Sequence, residues 1–237
     1  MKTIKFARDP YDMGFPMFSK EHLDLEENHV YILCGCNGYG KSTLMRCIME
    51  EIRYPDGTDL NDVYHNPFMA LYTQKEKELE KPYILLTFDK GNRSGHTEES
   101  YLRGAMRDFT SSNGEGIIDR FGDNLVAFKK WLADPSCPKE DKTAFFFFDD
   151  VDAGTSIDML LDVKAVIGYM AADCRKAGVF YIFIVPSNAF EMTFGDAPGW
   201  TCLDAITLKE LHFKDYEDYR TYVQKTRKAK DKRNSKI

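Results

Sequence analysis

The chain has 237 residues, 43% of them hydrophobic and 30% charged, which suffices for one large globular domain with a buried core. Aromatic residues at 14% exclude an intrinsically disordered chain, and 16 Gly with 9 Pro are too few for a fibrous or low-complexity one. The formal net charge of -6 hides an uneven distribution. Residues 225–237 hold seven cations (Lys225, Arg227, Lys228, Lys230, Lys232, Arg233, Lys236) against Asp231, so this stretch carries +6 and the remainder -12.

Six cysteines, at positions 34, 36, 47, 137, 174 and 202, form no C-x-x-C pair and predict reduced thiols. The N-terminus lacks the apolar core of a secretory signal, and no window approaches about 18 consecutive apolar residues. The expectation is a cytoplasmic protein without direct membrane insertion.

In chain order, Ile4 and Phe6 open with a short alternating stretch, and His29 to Cys34 (HVYILC) reads as a buried strand ending at a glycine. Residues 41–53 predict a helix with Leu44, Ile48 and Ile52 on one face, stopped by Tyr54-Pro55-Asp56-Gly57. Tyr83 to Phe88, Ala144 to Phe148 and Val179 to Val185 are short, nearly continuous apolar runs that fit strands covered on both faces. Between the last two, Ile157, Leu160, Leu161, Val163, Ala165 and Val166 carry helical spacing up to Gly178. The alternation predicts an α/β fold with a mainly parallel sheet flanked by helices. Residues 57–142 are polar and irregular and read as a small insertion lobe on a core formed by about 1–56 and 143–223, with a basic tail over 224–237. One domain spans the chain.

Gly35-Cys36-Asn37-Gly38-Tyr39-Gly40-Lys41-Ser42 satisfies G-x-x-x-x-G-K-[ST] between a predicted strand and a predicted helix. Glycines let consecutive N–H groups face an anion, the helix N-terminus adds partial positive charge, and Lys41 places a full charge near the β- and γ-phosphates of a nucleotide. Ser42 is placed to ligate magnesium. After the AFFFF run come Asp149, Asp150, Val151 and Asp152. Asp149 is the second candidate magnesium ligand and Asp150 the candidate for polarising the attacking water. A solvated strand end or a helix cap is the ordinary use of such a run.

GCNGYGKST resembles the phosphate loop of ATP-binding-cassette (ABC) ATPases, and FFFFDDVDAGTSID resembles that family's Walker B strand, catalytic acid and D-loop. The latter is closest to the form found in soluble members such as structural-maintenance-of-chromosomes (SMC), DNA-repair and phage or defence-associated ATPases. Between them, Ser111-Ser112-Asn113-Gly114-Glu115 is similar to the family's signature segment. The resemblance implies a P-loop NTPase of ABC type binding ATP and Mg2+. Asn37 would lie near the γ-phosphate and Thr43 near the α-phosphate. Ser112, Asn113, Gly114 and Glu115 would reach ATP held by a second copy, giving an ATP-dependent head-to-tail homodimer with Thr155 and Ser156 at its interface. Asp150 stands where the family has a glutamate and is one methylene shorter, which predicts slow hydrolysis. Pro186-Ser187-Asn188 stands where the family has a switch histidine, so Ser187 or Asn188 becomes the candidate for the γ-phosphate, neither able to carry positive charge. No Q-loop glutamine is assigned, since Gln74 precedes the YILLTF strand, and Tyr11, the A-loop candidate, fits a turn or core tyrosine better.

Residues 208–228 predict a helix whose Phe213, Tyr216, Tyr219, Tyr222 and Val223 form a stripe packed on the core. The basic run beyond it is expected to be disordered by itself, either a solubilising tail or a DNA contact. The function expected is a slow ATPase acting as a dimerisation switch for DNA processing, defence or a partner effector such as a nuclease. A transporter's nucleotide-binding subunit and a non-hydrolysing ATP-binding scaffold are the alternatives.

Overall fold

The computed structural model describes residues 2–5, 17–53, 83–88, 125–126, 128–133, 143–149, 151–152, 155–195 and 197–235. Strands β1 (Lys2–Lys5) and β2 (His22–Leu25) form an antiparallel ribbon. Strands β3 (His29–Cys34), β4 (Tyr83–Phe88), β5 (Thr143–Phe148), β6 (Phe180–Pro186), β7 (Trp200–Asp204) and β8 (Glu210–Leu211) build the main sheet in the order β4-β5-β6-β3-β7-β8. Every pairing in it is parallel except β7 with β8. The helices are α1 (Lys41–Arg53), α2 (Ile157–Ala177) and α3 (Tyr216–Asn234), with a 3-10 turn over Phe190–Thr193 and further helical residues at 125–126 and 128–133.

The apolar runs form central strands because each feeds two cores at once. Successive side chains point to opposite faces of a strand, so a continuous apolar run requires cover on both sides. On one face Val30, Ile32, Phe146, Phe148, Tyr181 and Phe183 pack against Leu160, Val163, Ile167 and Met170 of α2. Phe146 and Phe183 stack there with ring centroids 4.1 Å apart. On the other face Tyr31, Leu33, Phe145, Phe147, Ile182 and Ile184 meet Leu44, Met45, Ile48 and Ile52 of α1. Such a sheet, parallel in the main and flanked by helices, is the α/β architecture the sequence predicts.

The helix over residues 41–53 occupies the range its sequence predicts. Helix α2 ends at Gly178, whose left-handed φ of 70° lets its amide donate back to Arg175 O and the Val179 amide to Cys174 O. The C-terminal expectation needs correction. Residues 208–215 are not helical; α3 begins after Asp215, whose side chain accepts from the Asp218 amide, and it runs through the basic stretch to Asn234. The segment expected to be disordered is folded. Acidic Glu217 and Asp218 in its first turn and Lys232 and Arg233 in its last complement the helix dipole, which explains why a charged run holds helical form. Of the predicted stripe, Tyr219 is buried and Phe213, Tyr222 and Val223 pack at the margin of the cores, whereas Tyr216 is exposed.

Candidate nucleotide site

The carboxyl ends of β3, β6 and β5 lie side by side, the place where parallel α/β sheets receive ligands. The turn after β3 supplies residues 35–40 and runs directly into α1. Two of its glycines are required by the backbone. Gly35 (φ 149°) has the Tyr39 ring where a Cβ would stand, and Gly40 (φ 116°) has the Met17 and Ile206 side chains there. Leu44 N donates to Gly40 O, so the amides of Lys41 and Ser42 lie ahead of the first intrahelical bond, where a helix has N–H groups to offer an anion.

Lys41 is buried, and its Nζ donates to Gly35 O at 3.0 Å, Cys36 O at 3.2 Å and Asn188 Oδ1 at 2.7 Å. Burial pulls its pKa below the ordinary lysine value, and the carboxylates of Asp152 and Asp149 oppose that shift. Ser42 Oγ donates to Asp149 Oδ1 at 3.0 Å. The hydroxyl and carboxylate oxygens thus adjoin, a donor set suited to a hard divalent cation. Among the described residues no group of three His, Cys, Asp or Glu forms a self-sufficient metal site. A magnesium ion held here would be completed by nucleotide phosphates and water, its usual manner of binding.

A cavity of about 640 Å³ opens over these groups, lined by Asn37, Gly38, Lys41, Ser42, Asp149, Asp152, Thr155, Leu160, Pro186, Asn188 and Ala189. The structure therefore gathers Asn37, Gly38, Lys41, Ser42, Asp149 and Asn188 from the predicted set. Gly35 and Cys36 contribute carbonyls to Lys41, while the Cys36 and Tyr39 side chains are buried in the core on the α1 face. Burial raises the Tyr39 phenol to about 12, followed by the Asp204 carboxylate as the next cause. Thr43, in the first turn of α1, is half-buried. Asp150, Ser112, Asn113, Gly114 and Glu115 lie outside the described residues, as do Tyr11 and Gln74. Thr155 Oγ1 donates to Val151 O at 3.1 Å, which turns it back toward its own loop.

Two sets of residues at this site escape the sequence reading. Asp152 holds the loop after β6: its Oδ2 accepts from Ser187 Oγ at 2.9 Å and from the Asn188 amide. Helix α3 backs the phosphate loop, with Thr226 Oγ1 accepting from Cys36 N at 3.0 Å. Apolar periodicity finds Tyr219, Tyr222 and Val223 but has no means of flagging the polar Thr226, which continues their stripe.

Among the described residues Cys34, Cys36, Cys174 and Cys202 are free thiols. No described helix is long and apolar enough to cross a membrane. The model of the ABC transporter family matches residues 18–95, a span containing β2, β3, the phosphate loop and α1. No curated protein matches the chain. The family match, less than half of the chain, supports an ABC-type phosphate-loop ATPase domain that binds ATP.

Proposed function

We propose that the chain is an ATP-binding, magnesium-dependent ATPase of slow turnover that works as an ATP-driven dimerisation switch. The observation that carries the reading is the convergence of Lys41, Ser42 and Asp149 on one cavity at the carboxyl ends of parallel strands. Lys41 brings a positive charge to where the β- and γ-phosphates would bind, and Ser42 with Asp149 brings the oxygens for the cation. Magnesium, when bound, neutralises charge that develops on the transferred phosphoryl group. Asn188 faces the same cavity with an amide that can contact the γ-phosphate.

Asp150 is the candidate for orienting water, and its short side chain is the reason for assigning slow hydrolysis. Dimerisation is supported by the resemblance of Ser112 to Glu115 to a signature segment, which acts on nucleotide held by a second copy. A two-fold pair buries both nucleotides with one kind of surface. The downstream role, in DNA processing, defence or control of an effector such as a nuclease, is supported by the SMC-like sequence DDVDAGTS and the basic C-terminal residues.

Calorimetric ATP–Mg2+ binding, steady-state hydrolysis and light scattering on the full chain test these parts together. Lys41→Ala is expected to weaken ATP binding about a hundredfold, the scale of losing a buried charge-assisted contact. Undiminished ATP affinity in that variant removes the phosphate-loop assignment. Asp150→Glu is expected to hydrolyse faster, and an equal or lower rate refutes side-chain reach as the limit. A chain that remains monomeric with saturating ATP and Mg2+ in the Asp150→Asn background refutes the switch.

A further inference from the structure

Helix α3 follows the phosphate loop along its length without contributing a residue to the cavity lining. From one face, at spacings of three and four, it reaches the backbone around the site. Tyr219 OH donates to Asn188 O at 2.6 Å. The Tyr222 hydroxyl lies 3.1 Å from Cys34 O and 2.9 Å from Asp204 Oδ2. Thr226 Oγ1 accepts from Cys36 N, Lys230 Nζ donates to Asn37 O at 3.1 Å, and Arg233 reaches toward Tyr39 O at 3.5 Å.

Apart from the Asp204 carboxylate these contacts fall on main-chain atoms, so α3 responds to the path of the loop and not to the side chains the loop carries. Thr226 is their centre. It is 3% exposed, and its hydroxyl proton goes to Val223 O at 2.8 Å, which fixes a lone pair toward the Cys36 amide. A buried N–H that loses its acceptor is costly, so the loop keeps the path that presents Cys36 N to Thr226. Cys36 O, on the same residue, accepts from Lys41 Nζ, and Asn188, held by Tyr219 through its carbonyl, accepts from Lys41 through its side chain. Both routes from α3 therefore end at the lysine that faces the cavity.

We infer that α3 is a positioning element of the nucleotide site: Thr226 and Tyr219 hold Cys36 and Asn188 in the arrangement that binds phosphate. Nucleotide binding and the docking of α3 then favour each other by the same factor, since coupling between two binding events is reciprocal. A loop that leaves this arrangement for part of the time loses apparent affinity in proportion. The inference rests on the reading of residues 35–43 as an ATP site.

The test is calorimetric binding of a non-hydrolysable ATP analogue with Mg2+ to the full chain, its Thr226→Val, Thr226→Ser and Tyr219→Phe variants, each confirmed folded by circular dichroism. Hydrogen exchange over residues 219–234 is followed alongside. Thr226→Val is expected to bind about tenfold more weakly, Thr226→Ser within about twofold of the parent, and nucleotide to slow exchange in α3 of the parent. Tyr219→Phe keeps the ring packing and is expected to lose affinity too, which preserves the test if the valine variant does not fold. Valine and phenylalanine variants that melt earlier but bind the analogue as the parent does overturn the positioning role and leave the ATP site standing. A parent chain that is folded and binds no nucleotide overturns the ATP reading and this inference with it.

Discussion

Lys41 shows how a single residue carries both a structural cost and a chemical use. Its three acceptors match the three protons of an ammonium group, an arrangement a neutral amine cannot satisfy, so the hydrogen bonds favour the charge that burial opposes. A phosphate that takes one of those protons must displace an acceptor, and Asn188 Oδ1 is the one on a side chain free to turn. On the proposed reading Asn188 keeps Lys41 directed toward the cavity before a nucleotide binds and turns to the γ-phosphate once it has. Asn188→Ala is accordingly expected to weaken ATP binding by about the factor expected of Tyr219→Phe while also lowering the single-turnover hydrolysis rate about tenfold or more. Rapid-quench kinetics beside calorimetry separates the two effects. Weakened binding with an unchanged rate would contradict this role.

Among the elements, α3 shows most clearly what pattern reading captures and what it leaves out. Tyr222 anchors the helix at the ends of β3 and β7, and burial, then the Asp204 carboxylate, raise its pKa far above the ordinary tyrosine value. A folded-state pKa raised above the unfolded 10.0 means that this stability is fully present below pH 10 and is lost as pH rises beyond it. Tyr222→Phe is expected to cost about 1–3 kcal/mol at neutral pH, the penalty for leaving a buried carboxylate short of a donor. The gap to the parent should narrow above pH 10, measured by urea denaturation; a gap independent of pH would show that the phenol does not titrate with folding. β3, β5 and β6 were legible in sequence because parallel strands covered on both faces must be apolar throughout, and the phosphate loop because its glycines, lysine and serine each answer a separate requirement. β7 was not legible, since WTCLD mixes Thr and Asp into a strand buried by its neighbours. The last turns of α3 were not either, because a run of cations reads as solvated tail until Asp215 at its start and the phosphate loop along its side give it a reason to fold.

For the whole molecule, a net charge of -6 would repel a nucleotide if it were spread evenly. The fold prevents this by returning the basic C-terminal stretch to the phosphate loop. Lys230 Nζ reaches Asn37 O at 3.1 Å, and Arg233 reaches toward Tyr39 O, so two cations stand behind the residues that meet the phosphates. Lys225, Lys228 and Lys232 are exposed on the same helix, at spacings of three and four, and face solvent. Charges within about 10 Å of a site act on it at moderate salt, and more distant ones are screened. The inner pair and the outer row are therefore expected to differ in effect although their formal charges are alike. Lys230→Gln with Arg233→Gln should weaken ATP binding about fivefold at low ionic strength, and the loss should shrink as salt is added. Lys225→Gln with Lys232→Gln removes the same charge and should change affinity less than about twofold. Equal losses from the two pairs would mean that total charge alone governs nucleotide binding; unequal ones in this direction locate the effect in where α3 sets its cations.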